Sequence, residues 1–234
     1  MRTSVSIPRR FNGPLESGQG GYCSGIVASL IDGPAEVRLR RPVPLGAPLD
    51  VVREGDGPVR VLDGDALIAE ARGMPRFEVE VPASVSPAEA RRAMGGYRGV
   101  SDGVFSRCFV CGRARDDAFG VFAGPVDGRE LVASCWTPPT WTADPEGSVR
   151  PEFVWAVLDC PTYFALYTEA DLPMSVLAQL TARIDTSVAA GQEHVVIAWP
   201  IERDGRKHHA ASAVLSDEGT VLASARALLI ELRA

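Results

Sequence analysis

The sequence predicts an α+β protein in which one motif, a central helix followed by an antiparallel meander, occurs twice. Three observations point there. The segment DGDALIAEAR (63–72) aligns without gaps with DEGTVLASAR (217–226): Asp, two Ala and Arg are identical, and Leu67/Val221 and Ile68/Leu222 are similar. Self-similarity of this kind is a signature of an internal repeat. Each copy is preceded by an apolar segment with helical spacing. Between them run segments whose apolar residues alternate with polar ones, as in half-buried strands.

The elements follow in the same order in each half. A glycine-rich turn leads into GGYCSGIVASLI (20–31), a helix by its apolar spacing. Next comes AEVRLRRPVPLGAPLDVV, where Val37 and Leu39 alternate with Glu36, Arg38 and Arg40. VRVLDGDALIAEARG reads as a hairpin turning at Asp63-Gly64. In the second half PEFVWAVLDCPTYFALY is the helix, and 180–188, 193–202 and 208–232 supply the strands. The segment 82–103 holds a short helix pattern and then a Gly/Ser-rich run, which places the seam near residue 100 and the two units at 1–100 and 101–234.

Composition narrows the function classes. Among 234 residues, 46% are apolar, enough for a substantial core, while 23 glycines and 18 prolines call for many turns. A net charge of −6 argues against a general nucleic-acid binder. The N-terminal stretch lacks the apolar run of a signal peptide, and no stretch has the apolar length of a membrane span. A cytoplasmic location is therefore expected, with no membrane partner. Five cysteines at no framework spacing read as free thiols.

These features resemble the hotdog-fold thioesterase superfamily, and most closely double-hotdog acyl-CoA thioesterase-like proteins. FNGP…SGQGGYCSGIVASLI with VRLRRPVPLGAPLDV looks like their N-terminal half, and CFVCGRARDDAFGVFAGPV (108–126) is similar to the opening of many small hotdog thioesterases. The resemblance implies a tandem (double) hotdog, each half a central helix wrapped by an antiparallel sheet. It also implies hydrolysis of an acyl thioester, with acyl-CoA the expected substrate, no cofactor, and association into a homodimer as a further expectation. Hotdog proteins include non-catalytic acyl binders too, so a binding protein for acyl-CoA or fatty acyl groups is the alternative.

In the family pattern a His-Gly-Gly-like turn opens one helix, an Asn or Gln precedes it, and a carboxylate comes from the partner helix. Here half one has Gln19-Gly20-Gly21 but Ala28 at the acidic position; half two has Asp159 but Arg150-Pro151-Glu152 at the turn. One of two pseudo-symmetric sites therefore keeps both parts. The resemblance assigns catalytic roles to Asp159, Asn12, Gly20, Gly21 and Thr181, the last lying near the position of a strand Thr in the type II group. A late-strand Gln of that group falls on Ala227 and does not carry over. Gln19, Tyr22, Glu152 and Trp155 are the expected substrate-binding residues. The chemistry suits these types: glycines at a helix N-terminus leave backbone N–H groups approachable for a developing oxyanion, and a carboxylate among apolar residues is poorly hydrated.

Simpler readings stand beside these. Pro161 disfavours helical geometry at Cys160, so Asp159 could cap a break between two short helices. Gly20 and Gly21 could serve close packing, Asn12 is a natural turn residue, and Glu152 suits the first turn of a helix. Arg38, Arg40 and Arg41 read as a solvated sheet face rather than a phosphate site. Cys108-x-x-Cys111 lacks the second pair that structural zinc calls for, so no metal is expected. Asp204 and His208 echo a hydratase spacing, but RDGRKHH reads as a hairpin turn.

Overall fold

The computed structural model describes residues 3–82, 84–99, 103–166 and 174–233. The first half contributes β1 (Thr3–Ser6), α1 (Gly20–Ala28), β2 (Ala35–Leu39), β3 (Pro48–Val52), β4 (Val59–Asp63), β5 (Ala66–Gly73) and α2 (Pro87–Met94). The second contributes β6 (Gly124–Pro125), β7 (Val132–Trp136), α3 (Pro151–Leu166), β8 (Ser175–Ile184), β9 (His194–Asp204), β10 (Lys207–Leu215) and β11 (Val221–Glu231). The hairpins turn where expected: Gly64 and Gly205 take φ of +57° and +54°, a conformation that side chains with a Cβ rarely adopt. Asp204 and Lys207 are paired across the second turn, so Asp204 and His208 belong to a hairpin and not to a helix start.

Among the described residues, eleven strands join one antiparallel sheet in the order β1-β3-β4-β5-β2-β8-β11-β10-β9-β7-β6. The order mirrors itself about the β2–β8 pair, where Glu36 faces Thr181 and Val37 faces Leu180. From that seam outward β5 corresponds to β11 and β4 to β10. The repeated decapeptide spans the β4–β5 turn in one half and the β10–β11 turn in the other, so the sequence repeat is also a spatial one.

The two long apolar helices cover one face of this sheet and pack on each other. Val37, Val61, Leu180, Val196 and Ala225 meet Phe153, Val157 and Leu158 in a single core shared by both halves. Each fully buried Leu or Phe there contributes roughly 1.5–3 kcal/mol. A second core lies on the opposite face, where Val85, Ala90 and Ala93 cover Ala133, Cys135, Val195 and Ile197. This double coverage explains why 194–198 is apolar at every position after His194 instead of alternating. The helix holding Ala90 and Ala93, α2, starts with a Ser86/Glu89 capping box; it precedes the expected seam yet packs on β7 and β9 of the second half.

α3 runs unbroken through Pro161. Proline removes one N–H from the ladder, and two hydroxyls serve neighbouring carbonyls: Thr162 Oγ1 donates to Asp159 O and Ser212 Oγ donates to Leu158 O, each at 2.6 Å. Asp159 is thus inside a helix and not at a break; Tyr167 lies outside the described residues. Among the described residues no helix is long and apolar enough to cross a membrane.

Candidate active site

The sharp turn before α1 is set by Gln19, whose backbone N–H donates to Phe11 O at 2.9 Å and whose side-chain Oε1 accepts from Tyr22 N–H at 2.6 Å, capping the helix. Capping fixes the rotamer, and the amide nitrogen of the same side chain points across to α3. Gln19 Nε2 donates to Asp159 Oδ2 at 2.6 Å, and Gly21 N–H donates to the same oxygen at 2.8 Å. The N-terminus of the half-one helix therefore meets the carboxylate of the half-two helix directly. Both donors bond Oδ2; among the described residues none bonds Oδ1, and Asp159 borders a cavity of about 490 Å³.

The close approach depends on glycine. A Cβ at Gly21 would stand 2.4 Å from Trp155 O and 2.6 Å from Asp159 Cβ, and one at Gly25 would stand 2.6 Å from Glu152 Cα. At Gly20 it would stand 3.1 Å from Asp159 Oδ2 and 2.9 Å from Leu177 Cδ2. The packing role and the site role of Gly21 are therefore one geometry: bringing α1 onto α3 is what delivers its N–H to Asp159.

Asp159 is 9% exposed. Its pKa is raised to about 7: burial is the largest cause, the Gly21 hydrogen bond works against it, and the nearby Cys108 adds to the rise. The carboxyl consequently sits between the charged and neutral forms, where a group can both accept and return a proton.

The cavity that Asp159 borders is lined mainly by apolar side chains. Phe105, Tyr163, Phe164, Leu177 and Leu229 form its walls together with Gln19, Gly20 and the three cysteines Cys108, Cys111 and Cys160. Glu16, Arg40 and Arg41 add charge to its lining, although Arg40 is ion-paired with Glu70 and Arg38 with Glu36.

The structure gathers Asp159, Gln19, Gly20 and Gly21 and sends the other expected residues elsewhere. Asn12 Nδ2 donates to Arg107 O at 3.0 Å, its Oδ1 accepts from Arg115 Nη1 at 2.9 Å, and its backbone carbonyl accepts from Phe109 N–H at 3.0 Å. It fastens the 105–121 loop to the turn before α1 and does not face Asp159. Thr181 lies on the sheet face away from the helices. Its strand neighbours Leu180 and Ala182 point into the core, while Thr181 itself pairs with Glu36 and Arg226. A shift of one residue along a strand exchanges faces, and the expected position was on the wrong face. Tyr22 packs among Phe11, Phe109 and Phe153 with ring centroids 4.4–5.6 Å away. Trp155 is buried against α1 by its carbonyl, and Glu152 pairs with Arg150 at 3.6 Å. Glu152 stands two turns, about 10.5 Å, along the helix from Asp159. None of these three borders the cavity.

Sequence reasoning missed the aromatic and cysteine walls. Cys160 beside Asp159 and the pair Cys108/Cys111 were visible as residues, but 49 positions separate Cys111 from Cys160, and only the fold brings them together.

No family model and no curated protein matches the chain by sequence. Solved structures do match it in shape over nearly its whole length. A thioesterase-named protein of Novosphingobium aromaticivorans is 12% identical, with TM-score 0.64 and coverage of 99% of this chain and 96% of its own. A hot dog fold protein of Alicyclobacillus acidocaldarius is 11% identical, with TM-score 0.63 and coverage of 100% and 94%. The tesB protein of Mycobacterium avium subsp. paratuberculosis is 12% identical, with TM-score 0.61 and coverage of 99% and 93%. At these identities the likeness speaks to architecture, and on that evidence, with the mirrored sheet and paired helices, the chain has the hot dog fold.

Proposed function

We propose that the chain is a tandem hotdog protein, its halves meeting in the chain near residue 100, that hydrolyses an acyl thioester at a single site between α1 and α3. Acyl-CoA is the expected substrate. The observation that carries this reading is the meeting of Asp159 with the Gln19–Gly21 turn at the edge of the apolar cavity. The cavity takes the acyl chain and places the thioester carbonyl near Oδ1 and the N-terminus of α1. Oδ1 attacks the carbonyl carbon, or takes the proton of a water that does. As charge builds on the carbonyl oxygen, the backbone N–H of Gly20 at the start of α1, favoured by the helix dipole, stabilises it, while that of Gly21 stays on Asp159 Oδ2. Collapse of that intermediate breaks the C–S bond and the thiolate leaves: on the base route it takes the proton that Asp159 holds, and on the nucleophile route it takes one from solvent, after which water hydrolyses the acyl anhydride on Asp159 and restores the carboxylate. Gln19 holds the carboxylate in the orientation the attack needs.

The opposite pseudo-symmetric site has Ala28 in place of the acid and Pro151-Glu152 in place of the glycines, so it has neither reacting part. This division supports one site per chain. Arg41 at the cavity, next to the Glu70-paired Arg40, supplies a cation that suits a phosphate-bearing carrier.

A second reading, a non-catalytic acyl-CoA or fatty-acyl binder, has one specific observation in its favour. The Gly21 N–H that would serve an oxyanion is bonded to Asp159 itself. A panel of acyl-CoAs assayed for free thiol release, run beside direct binding measurements, separates the two. Hydrolysis above background on at least one member supports the enzyme. Tight binding with hydrolysis of none supports the binder.

A further inference from the structure

We propose that Cys108, Cys111 and Cys160 form a three-thiolate site for a zinc-class divalent cation, with the fourth coordination position opening on the cavity. The three Sγ atoms all lie within 4.8 Å of one another, and Cys108 and Cys160 are 3.8 Å apart. A tetrahedral centre with metal–sulfur bonds of about 2.3 Å has sulfurs about 3.8 Å apart along each edge. A disulfide would need about 2.05 Å. The cluster is thus spaced for a shared ion and not for a sulfur–sulfur bond.

The surroundings are built around the sulfurs. Cys108 and Cys111 have the two-residue spacing of a metal-binding turn. Gly112 closes that turn so tightly that a Cβ there would stand 2.5 Å from both Cys108 O and Ser106 O. Tyr97 Oη donates to Cys111 O at 2.6 Å, and Asn12 ties the same loop to the turn before α1. The third sulfur arrives from α3, which is what the sequence pair alone lacked.

Three neutral thiols gain little by meeting, because S–H is a weak donor. Bound to a divalent cation each loses its proton to solvent and gains a metal–sulfur bond. Soft sulfur donors select zinc-class ions over magnesium or calcium. Asp159 Oδ2 is committed to Gln19 and Gly21, and the cavity beside the sulfurs has room for a water or a small molecule as the fourth ligand and gives the ion its entry path. The ion would lock the 105–121 loop to α3 at the residue following Asp159. This inference stands independently of thioester hydrolysis.

The test uses the full chain expressed with zinc in the medium and purified without chelator. Elemental analysis is expected to give about one zinc per chain, as a single three-cysteine site requires. Chelator-stripped protein titrated with Co²⁺ is expected to develop a sulfur-to-cobalt charge-transfer band with tetrahedral d–d bands. Cys160→Ser and Cys108→Ser should lose the zinc and weaken the cobalt bands, whereas Cys135→Ser, outside the cluster, should keep both. If a cluster variant fails to fold, the wild-type cobalt spectrum decides alone. Wild-type protein that holds no zinc and gives no sulfur-to-cobalt band overturns the proposal. So does a Cys108–Cys160 disulfide peptide in protein isolated under non-reducing conditions.

Discussion

At the residue scale the question is why an acid stands in the middle of an apolar helix. Burial alone would hold Asp159 neutral; two donors from the other half of the chain, Gln19 and Gly21, offset that by bonding one oxygen. Hydrogen bonds to a charged group are worth about 1.5–3 kcal/mol. Gln19→Ala should therefore lower kcat/KM for the best thioester about 10- to 100-fold through loss of that bond. It also removes the helix cap, at about 1 kcal/mol. Steady-state kinetics with a thermal melt of the same sample checks both; an unchanged kcat/KM would separate Gln19 from the chemistry. Asp159 and its glycine turn were legible in the sequence because a lone charge in an apolar run and paired glycines before a helix are local signals. Thr181 was misread because strand parity decides its face, and a single-residue ambiguity in alignment reverses parity.

At the element scale α1 and α3 are held together by missing side chains. Gly21 and Gly25 stand one turn apart on α1 and face Trp155, Asp159 and Glu152. Adding a methyl at either overpacks the interface, which costs about 1–3 kcal/mol. Gly21→Ala and Gly25→Ala should each lower Tm by roughly 2–12 °C for a chain of this size. Only Gly21→Ala also moves the N–H that Asp159 accepts, so it should lose more activity than Gly25→Ala at matched residual fold. Equal losses would mean that both act through packing alone. Pro161 looked like a helix stop in the sequence, since the ring takes away a ladder bond. The helix continues through it, and Thr162 and Ser212 give hydroxyls to Asp159 O and Leu158 O, the two carbonyls that follow the Val157 carbonyl left without its ladder partner; Ser212 comes from β10, far along the chain. Long-range compensation of this kind has no local signature.

At the scale of the whole molecule, the proposed duplication accounts for both the sheet and the candidate site. The strand order mirrors itself about β2–β8, as repeating one helix-plus-meander unit would give, and the decapeptide repeat is the sequence signal that pointed to such a unit. The short strands β1 and β6 and the placement of α2 on the second half's sheet were not readable: β1 and β6 have four and two residues, and α2 docks through contacts that composition does not encode. One core crosses the seam, with Val37 and Val61 from the first half packed in the same cluster as Leu180 and Val196 from the second. The chain should accordingly unfold in one cooperative step, with calorimetric and van't Hoff enthalpies equal; two resolved transitions would mean that the halves are separate folding units. The central claim is that the two halves complete one hydrolytic site, and Asp159→Asn tests it most directly. The substitution keeps the shape but removes the base or nucleophile. Thiol release from the best acyl-CoA is predicted to fall by about 10²–10⁴-fold with the fold intact. Full activity in the folded Asp159→Asn protein would contradict the account.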